Sequence, residues 1–259
     1  MDKLKAERYS KIAIKTLSEL SETLRAKREN GFRVIRKEQR EMVTELDMFV
    51  QEHIKEKFHS EMGDTQIASE EMKDNINNEK GYWSIDPIDG THNFIAGLPS
   101  YGISAAYIEN GTVFIAVIAI PEVNSIYSAI RGSGAFENNK RINVSTVDDL
   151  SKSIIAYDNQ FHLSDSMIEN FIAISEACFT TRIHGSSVID ASYVAKGLLS
   201  ARIYNSTKLC DIAAGILLVE EAGGISSDFD GNPIDLNSAK RIVISAPNIH
   251  DELISKLNK

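Results

Sequence analysis

The run from Asp211 to Ala222 leaves a chain like this little freedom of architecture. Ile212, Ala213, Ala214, Ile216, Leu217, Leu218 and Val219 crowd a single helical stretch, and Gly223-Gly224 ends it. A helix that is apolar nearly all round has no face to give to water, so it is buried. Its first turn then lies in the interior too. A carboxylate placed there, Asp211, needs a cation partner. Position alone leaves a plainer reading open, in which Asp211 is the helix N-cap.

A second stretch, Trp83-Ser84-Ile85-Asp86-Pro87-Ile88-Asp89-Gly90-Thr91-His92-Asn93-Phe94, carries two further carboxylates. An apolar run delivers Asp86 and Asp89, Pro87 between them pins the chain at a bend, and Gly90 allows a turn and a close approach to a ligand. The expected result is a strand end from which both aspartates point into one opening. The N–H groups of Gly90 and Thr91 would face the same opening, an arrangement that binds phosphate. Carboxylates and phosphate repel, so a site holding both requires cations between them. Taken alone, Asp-Pro and Asp-Gly also suit an ordinary tight turn.

Elsewhere the pattern is mixed. Leu4, Ala6, Tyr9, Ile12, Ala13, Leu17, Leu20 and Leu24 predict a helix over 3–29, and a second helix-like stretch spans 46–58. Short strands are expected at 32–35 and 66–68, with Ser69-Glu70-Glu71 after the latter, and the Asn-rich segment 73–81 reads as a loop. Three β-rich runs follow, at 101–108, 113–120 and 125–130, with the hairpin signal Asn110-Gly111 between the first two. From Ser153 onward strand and helix alternate, which predicts a layered α/β half. We therefore expect an N-terminal α+β half over 1–148 and a C-terminal α/β half over 149–259, packed as one unit and joined near 145–152.

Net charge excludes some functions. The chain carries a formal −9 with no dense Lys/Arg block, which disfavours nucleic-acid binding. No apolar run reaches bilayer-spanning length, so no membrane partner is expected. Cys178 and Cys210 imply no disulfide framework, and Met1 to Arg8 show no signal-peptide core, which together predict a cytoplasmic setting.

Asp86-Pro87-Ile88-Asp89-Gly90-Thr91 with Asn93-Phe94 resembles the signature of the inositol monophosphatase family. Ser69-Glu70-Glu71 resembles its paired-glutamate motif, and Asp211-Ile212-Ala213-Ala214 with Glu221-Ala222-Gly223-Gly224 its C-terminal motif. Val43-Thr44-Glu45-Leu46-Asp47 matches a fourth element. Order and spacing agree from about Arg36 to Gly224.

The resemblance implies a layered αβαβα sandwich of the inositol monophosphatase and fructose-1,6-bisphosphatase type, and a phosphomonoesterase using two or three Mg2+ ions. Glu70, Asp86, Asp89 and Asp211 would be metal ligands, with the Ile88 carbonyl as a backbone ligand. Gly90 and Thr91 would hold phosphate. An activated water oriented by Glu70 and Thr91 would attack phosphorus, and Asp47 would accept a hydrogen bond from Thr91. Hard oxygen donors of this kind suit magnesium. A covalent intermediate is not expected, and relatives suggest a homodimer.

Departures bear on the substrate. Cys210 stands where the family often has Trp, and Tyr204 where inositol-phosphate enzymes often carry a glutamate. Gly185-Ser186-Ser187-Val188 replaces a Gly-Ser-Ala-Ala element. Gly185, Ser186 and Tyr204 are candidate pocket residues. Arg202 and Lys208 would bind a second phosphate, or else are solvated surface charges. His92 reads as a rim residue rather than a ligand, and His184 as a core or surface residue, with the substrate pocket as the alternative. The expected substrate is a small phosphate ester, inositol-1-phosphate first. Fructose-1,6-bisphosphate, adenosine 3′,5′-bisphosphate and NADP are alternatives. An aspartyl-phosphate enzyme is disfavoured because Pro87 falls where its nucleophile would stand. A regulatory or scaffold protein that keeps the fold is the alternative of another class.

Overall fold

Two amphipathic helices cover one face of a large sheet, as the apolar spacing predicts. α1 (Lys3–Glu29) and α2 (Glu45–Met62) turn Leu17, Leu20, Leu24, Val50, Ile54 and Phe58 inward. Trp83, fully buried beneath them, has the rings of Tyr9, Phe58 and Tyr107 at centroid distances of 6.3, 4.7 and 5.5 Å. This computed structural model describes residues 1–36, 42–69, 76, 80–161, 164–238 and 240–258. Among them, no helix is long and apolar enough to cross a membrane.

The sheet under these helices has seven strands in sequence order: β3 (Gln66–Ser69), β4 (Tyr82–Asp89), β5 (Gly102–Glu109), β6 (Thr112–Ile120), β7 (Ser125–Ile130), β8 (Gly134–Glu137) and β9 (Lys140–Ile142). β3 runs parallel to β4 and every later pair is antiparallel. Asn110 and Gly111 both adopt positive φ, 51° and 70°, the turn that matches strand twist in a two-residue hairpin. A separate antiparallel pair, β1 (Val34–Arg36) and β2 (Met42–Thr44), leads into α2.

The second sheet has the order β11 (Thr180–Arg182), β10 (Ile154–Ala156), β12 (Ala201–Tyr204), β14 (Ile242–Ser245), β13 (Ile225–Asp228). Strand–helix alternation predicts parallel pairing, and β10 does pair in parallel with β11 and β12. β14 instead pairs antiparallel with both β12 and β13. β13 escapes a hydrophobic-period reading because its sequence, Ile225-Ser226-Ser227-Asp228, is mostly polar. β8 and β9 escape for another reason, each being only three or four residues long and bounded by turns.

Helices α5 (Ser187–Ala195) and α6 (Leu209–Glu221) lie between the two sheets, and α4 (Asp165–Ala177) packs with α7 (His250–Leu257) on the outer face. The layers therefore read αβαβα. Ile212, Leu217, Leu218 and Val219 of α6 share one core with Ile118 of β6 and Ile244 of β14, so an apolar helix surface has a sheet on either side. Gly215 lets α6 approach α5 closely, since a Cβ there would stand 2.6 Å from that of Ala191.

Candidate active site

Asp86 and Asp89 are three residues apart, and in a regular strand they would face opposite sides of the sheet. The register prevents this. Asp86 is opposite Ser104 and Asp89 opposite Gly102, so β4 carries one more residue than β5 over this stretch. Ser104 and Gly102 share a face of β5, and the bulge at Pro87-Ile88 therefore turns both aspartates to one side. Ile88 N–H donates to Asp86 Oδ1 at 3.1 Å and closes the local turn.

Gly90 follows at φ 80° and is the N-cap of α3 (Thr91–Ala96). A Cβ at Gly90 would stand 2.9 Å from the Ser100 carbonyl and 3.1 Å from Ser186 Cβ, so glycine is required twice over, by conformation and by space. Phe94 N–H reaches back to Gly90 O at 3.0 Å, and the N–H groups of the first turn have no partner within the helix.

Asp89 is 7% exposed and is held by the start of α5. The Ser186 hydroxyl donates to Asp89 Oδ2, and the Ser187 and Val188 N–H groups donate to the same carboxylate at 3.2 Å each. Burial pushes the Asp89 carboxyl up to about 7, and the negative Asp211 nearby adds to the rise, against the lowering effect of those hydrogen bonds. Ser186 is itself the N-cap of α5.

Asp211 reaches the same place from α6. The structure corrects the N-cap reading, because α6 begins at Leu209 and Lys208 occupies the cap. Asp211 is the third helical residue and accepts the Lys208 N–H at 3.0 Å. This places it one turn deeper than an N-cap. One donor atom each from Asp86, Asp211 and Cys210 lies within 4.8 Å of the others. Ser104, opposite Asp86, donates to the Cys210 carbonyl at 3.3 Å and so ties the start of α6 to the sheet. The donor set of Asp86, Asp89 and Asp211 is hard oxygen around mutually repelling carboxylates, which fits a divalent cation.

Other expected residues are placed differently. Glu70 and Glu71 lie outside the described residues. Asp47 accepts the Thr44 N–H at 2.7 Å and the Thr44 hydroxyl at 2.6 Å in a capping box at the start of α2. Thr91 does not donate to it. A hydroxyl has one proton, and that of Thr91 goes to the Ile88 carbonyl at 2.8 Å. Arg202 is neither a solvated charge nor an open anion site, being 4% exposed between Asp158 and Asp190. A guanidinium at that depth is retained only with carboxylate partners. Tyr204 is 1% exposed and donates to the Ser187 carbonyl at 3.3 Å, so its ring belongs to the core and braces α5. Lys208 is exposed. Gly185 adjoins the Asn93 side chain.

Sequence reasoning gave Asn93 no role. Its amide donates to the Ser100 and His184 carbonyls at 2.7 Å each, clamping the His184-Gly185 segment against α3 and the loop that follows it. Its place inside the motif was the available signal. His184 Nδ1 lies 2.5 Å from the buried Asp190 Oδ1. Asp158 and Asp190 carried no signal, because their partner Arg202 is distant in sequence.

The chain resembles known proteins over nearly its whole length. The family model described as the inositol monophosphatase family matches residues 5–259. A Thermotoga maritima protein named fructose-1,6-bisphosphatase/inositol-1-monophosphatase is 36% identical over 222 residues, covering 85% of this chain and 84% of that one. The Nus factor SuhB of Pasteurella multocida is 33% identical over 219 residues, covering 83% of this chain and 82% of its own. The crystal structure of an IMPase/NADP phosphatase complexed with Mg2+ and phosphate superposes with a TM-score of 0.88 at 25% identity, covering 98% of this chain and 96% of that one.

Proposed function

Because the chain belongs to the inositol monophosphatase family, a family of hydrolases with a divalent-metal-dependent site, we propose that it is a magnesium-dependent phosphomonoesterase whose preferred substrate is inositol-1-phosphate. One observation carries this reading. Carboxylates of β4 and α6, remote in sequence, bring donor atoms within 4.8 Å of each other beside a third, buried carboxylate. Such repulsion is built into a fold where a cation relieves it.

Asp86, Asp89, Asp211 and the Ile88 carbonyl, together with Glu70, would hold Mg2+. When bound, the cation supplies Lewis-acid stabilisation of phosphoryl charge and lowers the pKa of water. The remaining work falls to the chain itself. The first-turn N–H groups of α3 bind the phosphate, and Gly90 leaves room for it. Ser186, Ser187 and Val188 fix the orientation of Asp89. Thr91 has committed its proton to Ile88, so its oxygen lone pairs are left to accept from the attacking water and aim it. Catalysis by positioning and charge stabilisation needs no covalent intermediate.

The experiment is phosphate release from inositol-1-phosphate, fructose-1,6-bisphosphate, adenosine 3′,5′-bisphosphate and NADP, with Mg2+ and with chelator. Inositol-1-phosphate is expected to be turned over fastest, and only with the metal. No release from any ester would end the enzyme reading. Similarity to a protein named Nus factor supports a second reading, a regulatory scaffold, which intact binding of a partner by a catalytically dead variant would favour. The net charge of −9 weighs against RNA as that partner. A homodimer in the cytoplasm completes the proposal, checked by sedimentation and by fractionation.

A further inference from the structure

Cys210 introduces a soft donor into a cluster otherwise made of hard ones. It immediately precedes Asp211 on the first turn of α6, is buried, and forms no disulfide. Its Sγ lies 3.5 Å from Asp211 Oδ1 and within 4.8 Å of a carboxylate oxygen of Asp86. Zn–S bonds of about 2.3 Å and Zn–O bonds of about 2.1 Å at a tetrahedral angle put the two donors about 3.6 Å apart. The Cys210–Asp211 pair already has that separation, and the Asp86 contacts need to close by at most about 1 Å, within the reach of a side-chain rotation.

The thiol is not there by accident of a loose loop. The Ser104 hydroxyl holds the Cys210 carbonyl from the strand position opposite Asp86, and the Lys208 N–H holds Asp211. Backbone on both sides of the cluster is thus fixed before any ion arrives. Magnesium gains nothing from sulfur, whereas ions of the zinc and cadmium class bind thiolate preferentially.

We propose that Asp86, Cys210 and Asp211 form a three-donor site for a thiophilic divalent cation, overlapping the candidate magnesium site and therefore exclusive with it. Binding converts the thiol to a metal thiolate and releases its proton to solvent, with no change of oxidation state. This rests on the reading of Asp86 and Asp211 as cation ligands. It implies that zinc-class ions displace magnesium here and hold the enzyme in a form silenced by the wrong metal.

Cadmium titrated into the chelator-stripped full chain, followed by the ultraviolet charge-transfer absorption of a cadmium thiolate, tests this without reference to activity. The Cys178→Ser variant is expected to keep the band at one equivalent. Cys210→Ser is expected to lose it and to bind cadmium at least about tenfold more weakly, with an unchanged far-ultraviolet dichroism spectrum. Millimolar Mg2+ should shift the cadmium titration to higher cadmium concentration, because the two ions share Asp86 and Asp211. Absence of a band, its survival in Cys210→Ser, or indifference to Mg2+ would each overturn the proposal. Magnesium-dependent phosphatase activity with no cadmium band would leave the functional reading standing and this site refuted. A band with no activity on any ester would do the reverse.

Discussion

The hydroxyl of Ser186, which caps helix α5, donates to the carboxylate of Asp89 at the end of β4. One residue thus serves two elements, and the N-terminus of a helix from the second half of the chain braces a carboxylate from the first. Positive partial charge at that helix end offsets part of the cost of burying Asp89. The offset is incomplete, which is why the carboxyl titrates near neutrality.

Replacing Asp89 by Asn removes a buried charge that faces Asp211 and keeps an oxygen for the α5 N–H groups. Phosphatase activity is expected to fall at least ~100-fold. The metal-free melting temperature should hold or rise at pH 8. Activity assays and calorimetry on the same preparation check both halves, and full activity would mean the site is misplaced.

Acidity should couple to metal binding. The folded-state Asp89 carboxyl, pushed up to about 7 from the ordinary aspartate value of 3.8, binds a proton that the unfolded chain has already lost. Its stabilising contribution is complete below the unfolded value and disappears as pH rises through about 7. The chelated protein should therefore melt progressively lower between pH 5 and pH 8. Mg2+ should raise the melting temperature more at pH 8 than at pH 5, since cation and proton compete for one carboxylate.

Gly215 sits where α6 presses on α5, with no room for a Cβ beside Ala191. Gly215→Val is expected to cost about 1–3 kcal/mol through overpacking. Because α5 and α6 carry Ser186 and Asp211, the same change should weaken Mg2+ binding as the two helix ends separate. Denaturant melts and isothermal titration measure the two effects. A variant with normal stability would show that the helices slide apart freely.

His250 is buried, with Nε2 2.9 Å from Ser227 Oγ and Nδ1 2.7 Å from Ser245 Oγ. Burial lowers its pKa below 6.5, with Asp251 opposing weakly. Stability tied to this residue is present above 6.5 and is lost as pH falls through the folded value. A His250→Gln variant should melt lower than the parent at pH 8 and lose less on acidification. Parallel pH–melting curves for the two proteins would count against it.

Local periodicity made much of this legible. Helix α1, the Asn110-Gly111 hairpin and the burial of α6 follow from residues close in sequence, where backbone geometry fixes which side chains share a face. The short strands β8 and β9 and the polar strand β13 were hidden, because they gain their place from pairing with neighbours rather than from a long apolar pattern of their own.

By itself the sequence determined that Asp86 and Asp89 end a strand at a proline bend, that Gly90 opens a turn, and that Asp211 lies near the start of a buried helix. Tertiary structure decided what those residues face. A one-residue bulge against β5 sets both aspartates on one side of the sheet, and packing of α6 between the layers carries Asp211 and Cys210 up to Asp86. It also sank Arg202 between Asp158 and Asp190, where its charge alone would have placed it in water. Covalent neighbours dictate local conformation at short range, whereas contacts across more than a hundred residues exist only once the whole core has closed around them.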